Sequence, residues 1–457
     1  MLDLEKTIIM FRFKAWFVDN KLFVLCAIFL LFFGYIDSGI RYDLGVSTLL
    51  VFNGLLSLGI IFLLNDGQGV SLNKTFGLFN LLFFSLAPVV QFKYNSSFYI
   101  QTIFNANLYL NVALLILLSL VFYIIIYAFV FDRLIRRVYA RKEPFLVVNS
   151  FVVLGISLIS FIGYLYLIRF DLSLILNRPP MFYMKTHTNL GLIGYAVLLI
   201  VKLIPFVCLM YYKLLRKVND KTTLFLLLVV LTMFFPTAAE RVYVGIVYVP
   251  LLLLFVPKTG DKYNLVFLLT FGVLLIFPVL NNFRDGLVGT GIKLEYPLFR
   301  TGHFDAFQNF MLVLEQGIVT NGRQLLGSFL FFVQEGMWSG KPVGSGHLLG
   351  ESIGYDFLNV AMPFLGEGYI NFGILGVFIF VLICACFNAL LDVFMKKNKL
   401  TLFLKIVFYV FVAFEFYVLR GDLMSSIKIS TSILLALSIV YFLILMSNKL
   451  IPLVSEK

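Results

Sequence analysis

Residues 361–393 read AMPFLGEGYINFGILGVFIFVLICACFNALLDV, a long and almost uninterrupted apolar stretch. A helix needs about 20 apolar residues to cross a bilayer, so this stretch predicts a membrane-spanning helix. The whole chain has the same character, because 61% of its 457 residues are hydrophobic and only 13% are charged. A soluble domain of this length needs more charge to cover its surface, so the main solvent of this protein is predicted to be lipid.

Similar apolar runs follow one another along the chain and predict about a dozen membrane-spanning helices. The predicted fold class is therefore an all-α polytopic membrane protein. The runs lie near residues 22–40, 44–64, 75–92, 106–131, 145–168, 189–212, 222–238, 242–257, 264–280, 361–393, 400–419 and 430–448.

The basic clusters of the N-terminus and the short connections, such as residues 133–142, 213–221, 258–262 and 396–399, all fall on one side when twelve helices are drawn. Cytoplasmic loops carry such an excess of basic residues, so both termini are predicted to be cytoplasmic, in a bacterial inner membrane. This distribution explains the net charge of +12 without a nucleic-acid partner. The four cysteines lie within apolar runs, which argues against a disulfide framework or a metal site built from them.

Two segments on the opposite, periplasmic side are longer than simple connections, and long loops are often functional. The first covers residues 169–189. The second covers residues 281–360. Within it, apolar and polar residues alternate at helical spacing over residues 304–316 and 322–334, which predicts amphipathic helices that lie on the membrane or over a cavity. The chain thus divides into residues 1–280 with nine helices, residues 281–360 as a large periplasmic loop, and residues 361–457 with three helices.

Charged residues gather at the periplasmic ends of the predicted helices, where they suit a lipid-linked pyrophosphate. Guanidinium groups bind phosphate oxygens in a bidentate manner and stabilise the charge on a leaving phosphate. A carboxylate near the acceptor hydroxyl can remove its proton. Glu367 is the predicted general base, because the glycines around it allow close approach of a sugar. The residues predicted to bind pyrophosphate or sugar are Arg241, Arg284, Arg420, Arg169, Lys341, His347 and Asn371.

These residues also have structural interpretations. Arg241 can pair with Glu240, the other arginines can anchor to lipid headgroups, and Glu367 can cap the helix that follows it. His303 is interpreted as a solvated loop residue, and the sequence gives no account of Lys202 within its apolar run. No Walker loop, dinucleotide fingerprint or zinc signature is present, so no cofactor is predicted.

The stretch from Phe331 to Gly376 resembles the bacterial Wzy-type O-antigen polymerases, which join oligosaccharide repeat units. A tryptophan before a Lys-Pro pair (residues 338–342) and the motif GEGYINFGILG (residues 366–376) carry the resemblance. The turn at residues 237–241 and Arg284 resemble the external arginine motifs of that family. The sequence EGM at residues 335–337 departs from the family, since many relatives have Pro-Arg there, and leaves one arginine contact without a counterpart.

The resemblance implies a glycosyltransferase that needs no metal or nucleotide. A glycan on undecaprenyl pyrophosphate would pass to the non-reducing end of a newly flipped lipid-linked repeat unit, and undecaprenyl pyrophosphate would leave. Beyond this substrate and the membrane lipids, the implied partners are a flippase and a chain-length regulator. Two alternatives stay open: an O-antigen ligase, which uses the same donor, and a lipid-linked oligosaccharide flippase. A flippase is expected to place its charges deep within two pseudo-symmetric halves.

Overall fold

A computed structural model of the protein describes residues 41–64, 68–98, 103–137, 148–177, 192–282, 298–334 and 336–455. These residues form helices joined by turns, and none of them forms a β-strand. The all-α prediction is therefore confirmed for the described part of the chain. The first predicted span, residues 22–40, lies outside the described residues, as does most of the segment 169–189.

A helix lies at every predicted run from residue 44 onward. The helices that precede the large loop are α1 (Leu44–Phe62), α2 (Leu72–Lys93), α3 (Ala106–Arg137), α4 (Ser150–Leu167), α5 (Leu192–Arg216), α6 (Lys221–Met233), α7 (Arg241–Phe255) and α8 (Asn264–Leu280). The loop contributes α9 (Ala306–Gln316), α10 (Arg323–Phe329) and α11 (Ser345–Ile353), and the chain continues with α12 (Phe364–Lys396), α13 (Leu402–Arg420) and α14 (Leu423–Ser455).

Eight helices in the described part of the chain are long and apolar enough to cross a membrane, which indicates a membrane-embedded protein. They are α1 to α5 and α12 to α14. The remaining predicted spans, α6, α7 and α8, are shorter apolar helices. Helix α6 ends just before Pro236, and α8 continues through a π-helical turn at Gly272–Ile276.

Helix α13 lies between two hydrophobic cores. Phe408 and Val412 pack into a core built mainly from α1, α2, α3, α9 and α12. Ile406 and Val410 pack into a second core that contains α4 to α7 and α14. Helix α7 packs closely along α13, and a Cβ placed on Gly245 would lie 4.0 Å from that of Ala413. The start of α7 therefore lies near the end of α13.

The helices of the large loop differ from the amphipathic surface helices that the sequence predicted. Residues 306–313 of α9 are all buried, and this stretch includes the polar side chains of Gln308 and Asn309. Gln308 donates to the side-chain oxygen of Gln91, and Asn309 donates to the carbonyl oxygen of Ala361. Helix α10 ends at Phe329, well before residue 334. Helix α9 is therefore an internal part of the fold.

Helix α12 is sharply kinked within the motif GEGYINFGILG. Phe372 has φ −142° and Gly373 has φ +63°, so neither residue is helical. In an uninterrupted helix Gly368 and Gly376 would be about 12 Å apart. Here a Cβ on Gly376 would lie only 1.9 Å from the carbonyl oxygen of Gly368. Residues 364–371 therefore fold back against the start of residues 374–396, and we call this arrangement the α12 hairpin.

Candidate functional site

Arg241 is the first residue of α7 and follows the turn at residues 237–240. Its guanidinium lies against the ring of His303, with Nη1 3.1 Å from Nδ1 and 3.2 Å from Nε2. His303 belongs to a 3₁₀ turn, Gly302–Phe304, just before α9. A histidine that the sequence suggested to be a solvated bystander is thus a direct neighbour of a predicted substrate-binding arginine.

Arg420 ends α13 and reaches the same turn. Its Nη2 donates to Oδ1 of Asp305 at 2.9 Å and to the carbonyl oxygen of Gly302 at 3.1 Å. The Asp305 side chain is 1% exposed, whereas that of Arg420 is 32% exposed. The Nε atom of Arg420 is buried and has no hydrogen-bond partner. Buried N–H groups are nearly always paired, so this donor is suited to an acceptor such as a phosphate oxygen.

These four side chains form what we call the arginine cluster: Arg241, His303, Asp305 and Arg420. Two guanidinium groups and one carboxylate leave these four side chains with net positive charge. Burial raises the pKa of the nearby Tyr355 above its ordinary value, and the charge of Asp305 raises it further. The Tyr355 hydroxyl therefore stays neutral and able to donate a hydrogen bond.

Glu367 lies in the first turn of α12 and is 1% exposed. Its Oε2 accepts a hydrogen bond from the hydroxyl of Ser345 at 2.7 Å. Its Oε1 accepts one from the backbone N–H of Leu423, also at 2.7 Å. The carboxyl group thus joins the α12 hairpin to the starts of α11 and α14. Both oxygens are bonded, so a substrate hydroxyl has to replace one of these partners before Glu367 can act on it.

Asp422 is a second carboxylate beside Glu367, close enough for its charge to act on that group. Its Oδ2 accepts from the backbone N–H of Gly346 at 3.0 Å. A Cβ on Gly344 would lie 2.6 Å from the same oxygen, so a larger residue there would push the Asp422 side chain aside. Residues 344–346, which we call the GSG turn, therefore contact both carboxylates at the N-terminus of α11, where negative charge is favourable.

Asn371 is fully buried and holds the loop to the α12 hairpin. Its Oδ1 accepts from the backbone N–H of Leu325 at 2.7 Å, and its Nδ2 donates to the carbonyl oxygen of Glu367 at 2.9 Å. Its own carbonyl oxygen accepts from the N–H of Gly322. With its side chain bonded on both ends, Asn371 fixes the position of α10 and of the Glu367 backbone.

Lys341 and His347 make contacts within the loop. The ammonium group of Lys341 donates to the carbonyl oxygens of Phe331 and Val333, at 2.8 and 2.7 Å. Both carbonyls belong to residues that follow the end of α10, and Lys341 satisfies them there. His347 Nε2 lies 3.0 Å from Oε1 of Glu351, one turn further along α11, and both side chains are partly exposed.

The other two predicted binding residues are not joined to the cluster. Arg169 is exposed in the turn after α4, with φ +55°, and its side chain makes no hydrogen bond or ion pair with the described site residues. Arg284 lies outside the described residues. The structure thus brings Arg241 and Arg420 to one place, and Glu367, Asn371 and Asp422 to another on the α12 hairpin and its neighbours. The assignment of binding and catalytic roles stays a prediction.

No protein-family model, curated protein or solved structure matches this chain. The function therefore has to be argued from the site itself. Asp305 and Ser345 are two residues of the site that sequence reasoning did not select. Asp305 carried no signal beyond its place before an apolar helix. Ser345 stands in a glycine-rich turn, and that composition was its one indication of close packing.

Proposed function

We propose that this protein is a membrane glycosyltransferase that polymerises undecaprenyl-pyrophosphate-linked oligosaccharide repeat units into O-antigen or a related surface polysaccharide. In this proposal it acts at the periplasmic face of the bacterial inner membrane. The observation that carries the proposal is the convergence of Arg241 and Arg420 on the turn at residues 302–305, with a buried Arg420 Nε that has no partner. Such an arrangement suits a phosphate ester.

The arginine cluster would bind the diphosphate of the donor. Guanidinium groups keep their charge and hold phosphate oxygens in fixed geometry. Negative charge grows on the diphosphate as the glycosidic carbon–oxygen bond breaks, so cations placed there stabilise the transition state. Asp305 orients Arg420 through the bond to Nη2 and leaves its Nε directed elsewhere. His303 would supply a further donor beside Arg241.

Glu367 would serve as the general base. The Ser345 hydroxyl already sits 2.7 Å from its Oε2, which is the distance that an acceptor sugar hydroxyl needs for proton transfer. An incoming sugar would displace Ser345 from this oxygen. The acceptor oxygen then bonds to the anomeric carbon and its proton passes to Glu367. The bond between that carbon and the diphosphate breaks, and undecaprenyl pyrophosphate leaves with the electron pair.

The test is polymerisation by the purified protein in lipid vesicles, with undecaprenyl-pyrophosphate-linked repeat units isolated from a host strain that lacks this gene. The unmodified chain is expected to give a ladder of products on a gel. R241A and R420A are each expected to lower the rate by about 10² to 10³, the usual effect of removing a transition-state donor. E367Q is expected to abolish the ladder while the protein remains folded.

The matched control is R300A. Arg300 belongs to the same loop but is exposed, with its Nε bonded to the hydroxyl of Ser96 and its guanidinium over the ring of Tyr94. This variant is expected to keep the full rate. Equal losses in R300A and R420A would refute a specific role for the cluster. Products on lipid A–core alone would point to a ligase, and transport of units without joining them would point to a flippase.

A further inference from the structure

Glu415 is a carboxylic residue inside the candidate span α13, and it is 2% exposed. Its Oε1 accepts a hydrogen bond from Nδ2 of Asn388 in α12 at 2.7 Å. Its Oε2 is buried and has no hydrogen-bond partner. Burying an ionisable group at membrane depth costs free energy, so a carboxyl group with only one of its two oxygens hydrogen-bonded calls for a physical explanation.

Asn388 is equally buried and links three helices. Besides Glu415, its Nδ2 lies 3.0 Å from the hydroxyl oxygen of Tyr123 in α3. Its Oδ1 is buried without a hydrogen-bond partner. The pair Glu415–Asn388 therefore contains two buried oxygens without a donor. A hydrogen atom on Oε2 of Glu415 would make the carboxyl group neutral while its Oε1 keeps the bond from Asn388, and a neutral polar group costs far less to bury than an anion.

Asp392, one turn further along α12, shows how this fold satisfies another buried carboxyl group. It is also fully buried, but it accepts four hydrogen bonds. The donors are the hydroxyl of Ser71, the backbone N–H groups of Leu72 and Asn73, and the hydroxyl of Tyr127. Glu415 has one donor where Asp392 has four, and hydrogen bonds to a carboxylate favour its charged form, so the charged form of Glu415 has much less support than that of Asp392.

The surroundings of Glu415 offer no compensating charge. The titratable groups that act on it are Asp392, Tyr123 and Cys384, none of which is a cation. No lysine or arginine in the described parts of the chain forms an ion pair with it.

We propose that Glu415, together with Asn388 and Tyr123, forms an intramembrane binding site for a single proton. The carboxyl group holds this proton in the resting protein and accepts a hydrogen bond from Asn388 across the interface of α12 and α13. Releasing the proton would leave a buried anion with one donor, so ionisation has to be accompanied by a change in the packing of these helices.

The test is the infrared spectrum of the full chain in lipid nanodiscs at pH 7. The difference between the unmodified protein and E415Q is expected to contain the carbonyl stretch of one protonated carboxylic acid. E415Q should remain monodisperse, because a neutral carboxyl and an amide have nearly the same shape. The control D392N should leave this band in place. The proposal would be overturned if E415Q lost carboxylate bands instead of an acid band. It would also be overturned if the acid band disappeared in D392N and not in E415Q.

A second variant keeps the test decisive if E415Q does not fold. N388L retains Glu415 but removes its hydrogen-bond partner. The acid carbonyl band is then expected to persist and to shift to higher frequency, as for a carboxylic acid without a partner. An unshifted acid band, or the absence of any acid band at pH 7 from both the unmodified protein and N388L, would also overturn the proposal.

Discussion

The α12 hairpin depends on two glycines whose backbones touch, and G376A tests this directly. A Cβ on residue 376 would lie 1.9 Å from the carbonyl oxygen of Gly368, whereas ordinary contacts begin at 3.4 Å. The obstacle is a backbone atom, which cannot rotate away as a side chain can. The two arms of the hairpin therefore have to separate by about 1.5 Å.

This separation has a calculable consequence for Glu367, which lies next to Gly368. Its bonds to the Ser345 hydroxyl and to the Leu423 N–H are both 2.7 Å long, and a shift of this size takes them beyond hydrogen-bonding distance. Two lost hydrogen bonds cost about 1 kcal/mol each, and overpacking adds about 1 kcal/mol or more. G376A should therefore destabilise the protein by about 3 kcal/mol.

The assay is the fraction of protein that stays monodisperse in detergent after heating, measured by size-exclusion chromatography. The control is G155A in α4, where a Cβ would have nothing within 4 Å. Replacing a helical glycine by alanine there should leave stability unchanged or raise it by about 0.5–1 kcal/mol. G368A, whose Cβ would lie 2.6 Å from the oxygen of Gly376, should be destabilised less than G376A. Equal heat resistance of G376A and G155A would refute the hairpin.

Two further changes test the contacts that hold the loop to the membrane helices. D305A removes the buried partner of Arg420, whose side chain is 32% exposed, and is expected to cost about 1–3 kcal/mol, seen as a lower temperature of heat-induced aggregation; the double variant with R420A should lose less than the sum of the two single effects. N371L leaves the Leu325 N–H without its acceptor and should cost about 1–3 kcal/mol, with faster tryptic cleavage at Arg323; unchanged cleavage would contradict its role as a clamp.

The sequence by itself determined the class of the protein and the position of most helices. Apolar runs mark the helices because burying a helix in lipid requires only side-chain hydrophobicity, which is a local property. The runs that correspond to α6, α7 and α8 are already the shortest of the twelve, but no run could show that α9 is internal. Gln308 and Asn309 look like a solvent-facing stripe in sequence, and only their buried partners reveal otherwise.

The residues of the candidate site also fall into those that the sequence predicted and those that only the structure revealed. Arg241, Arg420 and Glu367 could be selected from sequence because charged residues at the ends of apolar runs need a reason to be there. Their partners could not, since Arg420 meets Asp305 across 115 positions of chain and Arg241 meets His303 across 62. Tertiary structure alone brings such residues together.

The α12 hairpin shows the physical reason why contacts between distant residues cannot be read from the sequence. A straight helix through residues 361–393 would keep Gly368 and Gly376 on separate turns, and the left-handed backbone of Gly373 allows the chain to fold back instead. Sequence determines which residues are apolar, small or charged. The packing of distant segments decides which of them touch, because those contacts depend on the path of the whole backbone.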